Sequence, residues 1–271
     1  MDTTRRFAPE TFGAVPASLP SRPRRRGRTA GDGVKRAQAD RRRESMTLIL
    51  DQAEILFAQD GYYGVTLRDV ADAAGVDTSL MRYYFGDKEK LFAAVWERRS
   101  PFLNDLKSEA LAEYRAKAGD HMELEGVIEA FVRPPFELMM KDEGWRHYMS
   151  IVAFVNSSRG MIATLMLNDF DRVSREVLSD FARIFPNAPK ERLYWGYHFL
   201  SGALTFSFGQ TGRTDRLSDG MCNSRDAEAM LKRLPITLAA GIRALCEAPP
   251  ERFASTAPEG AKRGKKGRTK G

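Results

Sequence analysis

Between Glu44 and Leu91 apolar residues recur every three or four positions, in short blocks separated by polar and glycine-bearing breaks. Leu48, Ile49, Ala53, Leu56 and Phe57 fall on one face of a helix predicted over about 44–59, with Gly61 ending it. Leu67, Val70, Ala71 and Ala74 make the inner stripe of a second helix, and Leu80, Met81, Tyr84 and Phe85 that of a third. Gly75 stands between them, where a positive φ is cheap, and Asp77 is of a type that caps a helix start. Thr66, three residues before Asp69, has the spacing of a capping box. Two helices joined by so tight a turn form a helix-turn-helix, whose second helix enters a DNA major groove. A fourth helix starts at Asp87 and carries Leu91, Phe92, Val95 and Trp96; Ser100-Pro101 is its break or the first turn of its continuation. Its length is expected to carry it out of the helix-turn-helix into the rest of the chain.

Helical periodicity continues through 103–117, 123–140, 145–156, 161–185, 190–209 and 225–246, and no strand alternation interrupts it. The fold class is therefore all-α. Pro134-Pro135 is expected to interrupt or bend the second of these segments and Pro235 to kink the last, while 210–224 reads as a polar loop. With 271 residues, 42% of them hydrophobic, the chain can bury a sizeable core. Four parts follow: a disordered basic arm (1–43), the helix-turn-helix domain (44–92), a second, helical domain (93–248) and a disordered basic tail (249–271).

Charge sharpens the picture, because the net +7 is unevenly spread. Residues 22–43 hold ten Lys/Arg against two Asp, and 262–270 hold six Lys/Arg and no acid, so the remainder is acidic overall. Basic ends on an acidic body, beside a helix-turn-helix, point to double-stranded DNA as partner. Arg24, Arg25, Arg26 and Arg28 partly resemble an AT-hook, whose Arg-Gly-Arg core lies in the minor groove; here Thr29 replaces the usual proline. Specific minor-groove contact and a purely non-specific gain in affinity are both open readings. Cys222 and Cys246 lack CxxC spacing, and no apolar run approaches a membrane span. A cytoplasmic protein without membrane contact is expected.

Over 44–92 the ordered run through TLRDVADAAGVDTSLMRYYFGDKEKL resembles the tetracycline-repressor (TetR) family of bacterial transcription regulators. The resemblance implies a homodimer that places two copies of the third helix in successive major grooves. It also implies that Thr78, Ser79 and Arg82 meet base edges, with Arg68 reaching in from the second helix. Thr66, Tyr83, Tyr84 and Lys88 match phosphate-contacting positions, although Tyr83 or Tyr84 can instead be packing. Ser79 and Arg82 depart from the family's usual Gly and Tyr, so the operator sequence is this chain's own. YWGYHFLSGAL and RDAEAMLKRLPITLAAGIRAL are similar to a subgroup that includes fatty-acid-responsive repressors, which implies a small hydrophobic effector.

A soft lining for such an effector is expected from Met140, Trp145, Tyr148, Phe154 and Met166, together with Phe170, Trp195, His198 and Phe199. The same residues at helical spacing also suit plain core. Small residues mark the last two long segments, and by resemblance Gly202, Ala240 and Gly241 belong to a four-helix dimer interface. Intrachain packing is the competing explanation. Three histidines, none beside a Cys or carboxylate at metal-ligand spacing, and the absence of Walker, GxSxG and GxGxxG patterns argue against an enzyme, a metal or a cofactor. The function expected is a ligand-responsive repressor; the alternative is a ligand-independent DNA-organising protein with low sequence preference.

Overall fold

The computed structural model describes residues 30–160 and 169–249. Among them all regular secondary structure is helical, with no strand. In order, the elements are α1 (Ala30–Gly64), α2 (Leu67–Ala74), α3 (Thr78–Phe85), α4 (Lys88–Glu97), α5 (Ser100–Ala118), α6 (Leu124–Lys141), α7 (Glu143–Ser157), α8 (Asp171–Ile184), α9 (Lys190–Phe208), α10 (Arg213–Leu217) and α11 (Ala227–Glu247). Packing divides the chain between Arg43 and Glu44, and the described residues from Glu44 onward form one compact unit.

Several expectations are corrected. Helix α1 begins at Ala30, so the last part of the basic arm is helical and not disordered; its Lys and Arg residues are good helix formers once a folded segment follows. Gly61, with φ 69° and ψ 171°, breaks the helical geometry where the first helix was expected to end. Helix α4 stops after ten residues, and Pro101 opens a new helix in its first turn, where its missing N–H costs nothing. Helices α6 and α11 run through Pro134-Pro135 and Pro235 without interruption, all three prolines being buried in the packed faces. A short helix, Arg213–Leu217, lies within the expected loop 210–224.

One hydrophobic core runs through the unit: Ile49, Ala53 and Phe57 of α1 meet Val70, Ala71, Met81, Phe85, Leu91 and Phe92. Helix α6 packs against both α5 and α11, and α9 against α7, α8 and α11. Gly196 lets α9 and α11 approach closely, since a Cβ there would stand 3.1 Å from the Ile242 side chain. Among the described residues no helix is long and apolar enough to cross a membrane.

Candidate functional site

The helix-turn-helix is assembled by local hydrogen bonds. Asp69 N–H donates to Thr66 Oγ1 at 3.2 Å and Thr66 N–H to Asp69 Oδ2 at 2.8 Å, so both halves of the capping box close α2. Gly75 (φ 64°, ψ 32°) ends it in the left-handed region, and Ser79 N–H donates to Asp77 Oδ1 at 2.7 Å to start α3. Asp87 caps α4 by accepting from Lys90 N–H at 2.8 Å. These hydrogen bonds hold the Asp69, Asp77 and Asp87 carboxyls below their ordinary pKa.

Met81 and Phe85 turn inward, and this fixes what α3 shows to solvent. Ser79, Arg82 and Tyr83 share one exposed face at spacings of three and four, whereas Thr78 and Tyr84 are half-buried and Tyr84 packs on the core. Arg68 is exposed on α2 beside Asp72, at 3.7 Å. Thr66 is exposed at its cap. The half-buried Lys88 donates to the carbonyls of Tyr62 and Val65, both at 3.0 Å, and lies 4.4 Å from the Tyr62 ring centre, so it ties α4 to the end of α1. Arg24, Arg25, Arg26, Arg28 and Met166 lie outside the described residues.

A cavity of about 600 Å³ opens among α5, α6, α7, α8 and α9, lined by Lys107, Phe131, Val152, Asn156, Phe170, Val173, Ser174, Leu178, Tyr197, Leu204 and Phe208 among others. Of the expected lining residues that are described, Phe170 alone is there. A second, shallower cavity of about 570 Å³ takes Phe154 and His198. Trp145 and Tyr148 are core, packed ring to ring at 5.8 Å, because the α7 face that carries them meets α4 and α5. Met140, Trp195 and Phe199 are exposed, Trp195 stacking on Phe199 at 6.1 Å. Lys107 was missed, though its place midway between Leu103 and Leu111 on the stripe of α5 was a readable signal.

Phe170 on the cavity wall and its neighbour Asp169 both reach Trp96 of α4. Trp96 Nε1–H donates to Asp169 Oδ2 at 2.7 Å, and Ser100 Oγ donates to the same oxygen at 3.2 Å. Phe170, on the cavity wall, meets the Trp96 ring edge-on at 5.3 Å. The junction of α4 and α5 is further held to α1 through Glu54, which accepts from Arg98 Nη2 at 2.7 Å and from Arg99 Nε and Nη2 at 2.9 and 2.8 Å.

Helices α9 and α11 both carry exposed apolar groups. Tyr194, Phe199, Phe206 and Ile236 are each more than half exposed. Gly202, Ala240 and Gly241 are exposed too, and a Cβ added at either glycine would meet nothing within 4 Å.

Residues 49–95 match the family model "Bacterial regulatory proteins, tetR family", and residues 129–241 match "Tetracyclin repressor-like, C-terminal domain". The chain is 29% identical over 140 residues to the HTH-type transcriptional regulator AcrR of Shigella flexneri, covering 49% of this chain and 62% of that protein. It is 34% identical over 91 residues to the HTH-type transcriptional repressor KstR2 of Rhodococcus jostii, covering 34% of this chain and 41% of that one. The chain thus spans less than two thirds of these relatives' length. The crystal structure of the transcriptional regulator FadR from Bacillus subtilis in complex with stearoyl-CoA shares the fold, with a TM-score of 0.53 at 14% identity over 72% of this chain and 98% of that one. A regulator from Bordetella parapertussis does so with a TM-score of 0.52 at 14% identity, over 78% and 97%.

Proposed function

The chain belongs to the tetR family of bacterial regulatory proteins, and on that premise we propose that it is a DNA-binding transcriptional repressor, acting in the cytoplasm as a homodimer and released from a palindromic operator by a small hydrophobic effector. The observation that carries this reading is the wiring of the cavity to the helix-turn-helix: Phe170 and Asp169 touch Trp96 of α4, and the junction of α4 and α5 is clamped to α1 through Glu54. The two curated relatives are named a transcriptional regulator and a transcriptional repressor, and the FadR neighbour holds an acyl-carrying ligand; both agree with it. A guest of the cavity that displaces Phe170 moves Trp96, and with it the two reading helices, which must lie one DNA turn (about 34–36 Å) or a multiple of it apart. To release DNA it must bind the DNA-incompetent arrangement more tightly. DNase footprinting over genomic fragments tests the reading. One or a few protected palindromes support it, and protection of many unrelated sites would replace it with a DNA-organising role.

On the operator, Ser79 and Arg82 read base edges with Thr78 and Arg68 beside them, and Thr66, Tyr83 and Tyr84 hold phosphates. Lys88 spends two of its three N–H donors on carbonyls, leaving one for a phosphate. Arg82→Ala is expected to cost about 1–3 kcal/mol on the operator and to relax selection at one base per half-site. Lys88→Ala is expected to weaken operator and random DNA alike and to lower the melting temperature as well. Gel shifts on both DNAs read the difference, and equal losses for Arg82→Ala would move that residue to the phosphates.

The exposed face of α9 and α11 suits a second copy of the chain, with Gly202, Ala240 and Gly241 at the contact. A Cβ at Gly202 or Gly241 has open space around it within the subunit, so leucine at either position is expected to leave a folded monomer. Overpacking the contact by about 1–3 kcal/mol weakens dimerisation roughly tenfold to a hundredfold, and operator binding with it. Light scattering that finds both variants dimeric at wild-type affinity would remove this interface.

A further inference from the structure

Lys107 lies on the buried stripe of α5, one turn from Leu103 on one side and from Leu111 on the other. Its side chain faces two aromatic rings, with Nζ 4.5 Å from the centre of Phe131 and 5.3 Å from that of Phe170. Among the described residues no anion or hydrogen-bond acceptor pairs with it, and burial alone pushes its pKa down to about 8. Two ring faces recover only part of what an ammonium loses on leaving water.

The surroundings narrow what this cation can receive. Lys107 lines the larger cavity, whose remaining walls are mostly apolar: Val152, Leu178, Leu204 and Phe208. The polar groups on the wall are largely committed to each other. The Tyr197 and Ser174 hydroxyls are 2.5 Å apart, and Asn156 donates to Thr205 at 3.1 Å. At the mouth, Arg175 and Asp171 neutralise each other at 3.2 Å and are exposed. Lys107 is therefore the one uncompensated charge among the described lining residues. A single negative charge on a hydrocarbon body matches such a chamber, because a charge-assisted hydrogen bond in an apolar setting gains more than a neutral one.

We propose that the cavity takes an amphipathic monocarboxylate, its carboxylate pairing with the Lys107 ammonium and its hydrocarbon body lying against Val152, Leu178, Leu204 and Phe208. This rests on reading the cavity as the effector site. A carrier thioester of the same chain offers Lys107 only a neutral carbonyl, so the free acid is the favoured form. Because Phe170 contacts both Lys107 and Trp96, a carboxylate that repositions the ammonium also acts on the ring that reaches α4.

Isothermal titration of the full chain at pH 7 with decanoate, decanol and decanoyl-CoA tests this, alongside Lys107→Met and Lys107→Arg, each first verified by circular dichroism. The wild type is expected to prefer decanoate over decanol and over decanoyl-CoA by about tenfold to a hundredfold. Lys107→Met is expected to abolish that preference while keeping decanol binding, and Lys107→Arg to retain it. Equal binding of acid and alcohol by the wild type, a preference that survives in Lys107→Met, or no binding of decanoate would overturn the proposal. A parallel gel shift on the DNA fragment recovered by footprinting separates the two readings. Lys107-dependent decanoate binding that leaves the DNA bound keeps the carboxylate site and ends the release mechanism. Release by decanol, unchanged in Lys107→Met, keeps the release mechanism and ends the carboxylate site.

Discussion

Glu54→Leu destabilises the chain by about 3 kcal/mol, toward the lower end of the range for breaking a buried ion pair by removing one partner. The Glu54 side chain is only 3% exposed and accepts three hydrogen bonds from two guanidiniums, while Arg98 and Arg99 are 24% and 20% exposed. Leucine replaces the carboxylate with hydrocarbon and leaves both cations short of their counter-charge. Partial solvation of the arginines, and Asp51 at 2.6 Å from Arg98, soften the loss. Arg99 also covers the Trp145 ring at 4.6 Å, so the effect reaches α7. Urea denaturation reads the change as a shift in midpoint at constant slope. A midpoint equal to the wild type would show that the cluster contributes nothing to the joint between α1, α4 and α5.

Lys107→Met, by contrast, stabilises the chain near neutral pH, by on the order of 3 kcal/mol. The lysine's pKa falls from its ordinary 10.5 to about 8 on folding, because the folded protein strips water from the ammonium. Below pH 8 folded and unfolded chains both carry the proton, and the whole penalty is present. Between 8 and 10.5 the unfolded chain keeps a proton that the folded one has released, so wild-type stability rises with pH across that window. Above it the penalty is gone. The advantage of methionine is therefore largest at pH 7 and shrinks as the pH passes 8. Asp171, Arg175 and Tyr197 line the same cavity and stay in place in both proteins, so the difference isolates Lys107. Denaturation of both proteins at pH 7 and pH 10 gives the comparison, and a gap independent of pH would contradict the assignment. A position that costs stability yet faces a cavity is what a binding site looks like when function outweighs packing.

The reading unit was legible from sequence because its devices are local. Thr66 and Asp69, Gly75, Asp77 with Ser79, and Asp87 with Lys90 act over two to four residues, and a short window of sequence contains everything such an interaction needs. The inward stripe of Met81 and Phe85 left Ser79, Arg82 and Tyr83 to solvent for the same reason. Periodicity placed the later helices but could not rank their faces. Trp145 and Tyr148 became core while Trp195 and Phe199 stayed outside, although all four are aromatic residues at helical spacing. Nor did proline forecast the course of α6 and α11, where burial in a packed helix outweighed the lost hydrogen bond.

By itself the sequence determined the class, the family and the helix-turn-helix, since periodicity, caps and a long ordered motif are properties of neighbouring residues. Only the tertiary structure decided where a guest can sit and how it reaches DNA. Asp169 meets Trp96 across 73 residues, Glu54 meets Arg98 and Arg99 across 44 and 45, and Lys107 of α5 faces Phe131 of α6 and Phe170, the residue just before α8. Such encounters depend on which helix faces pack together, and that follows from the burial of the whole core. A charge on an apolar stripe reads in sequence as an exception; in the folded chain it becomes the floor of a cavity.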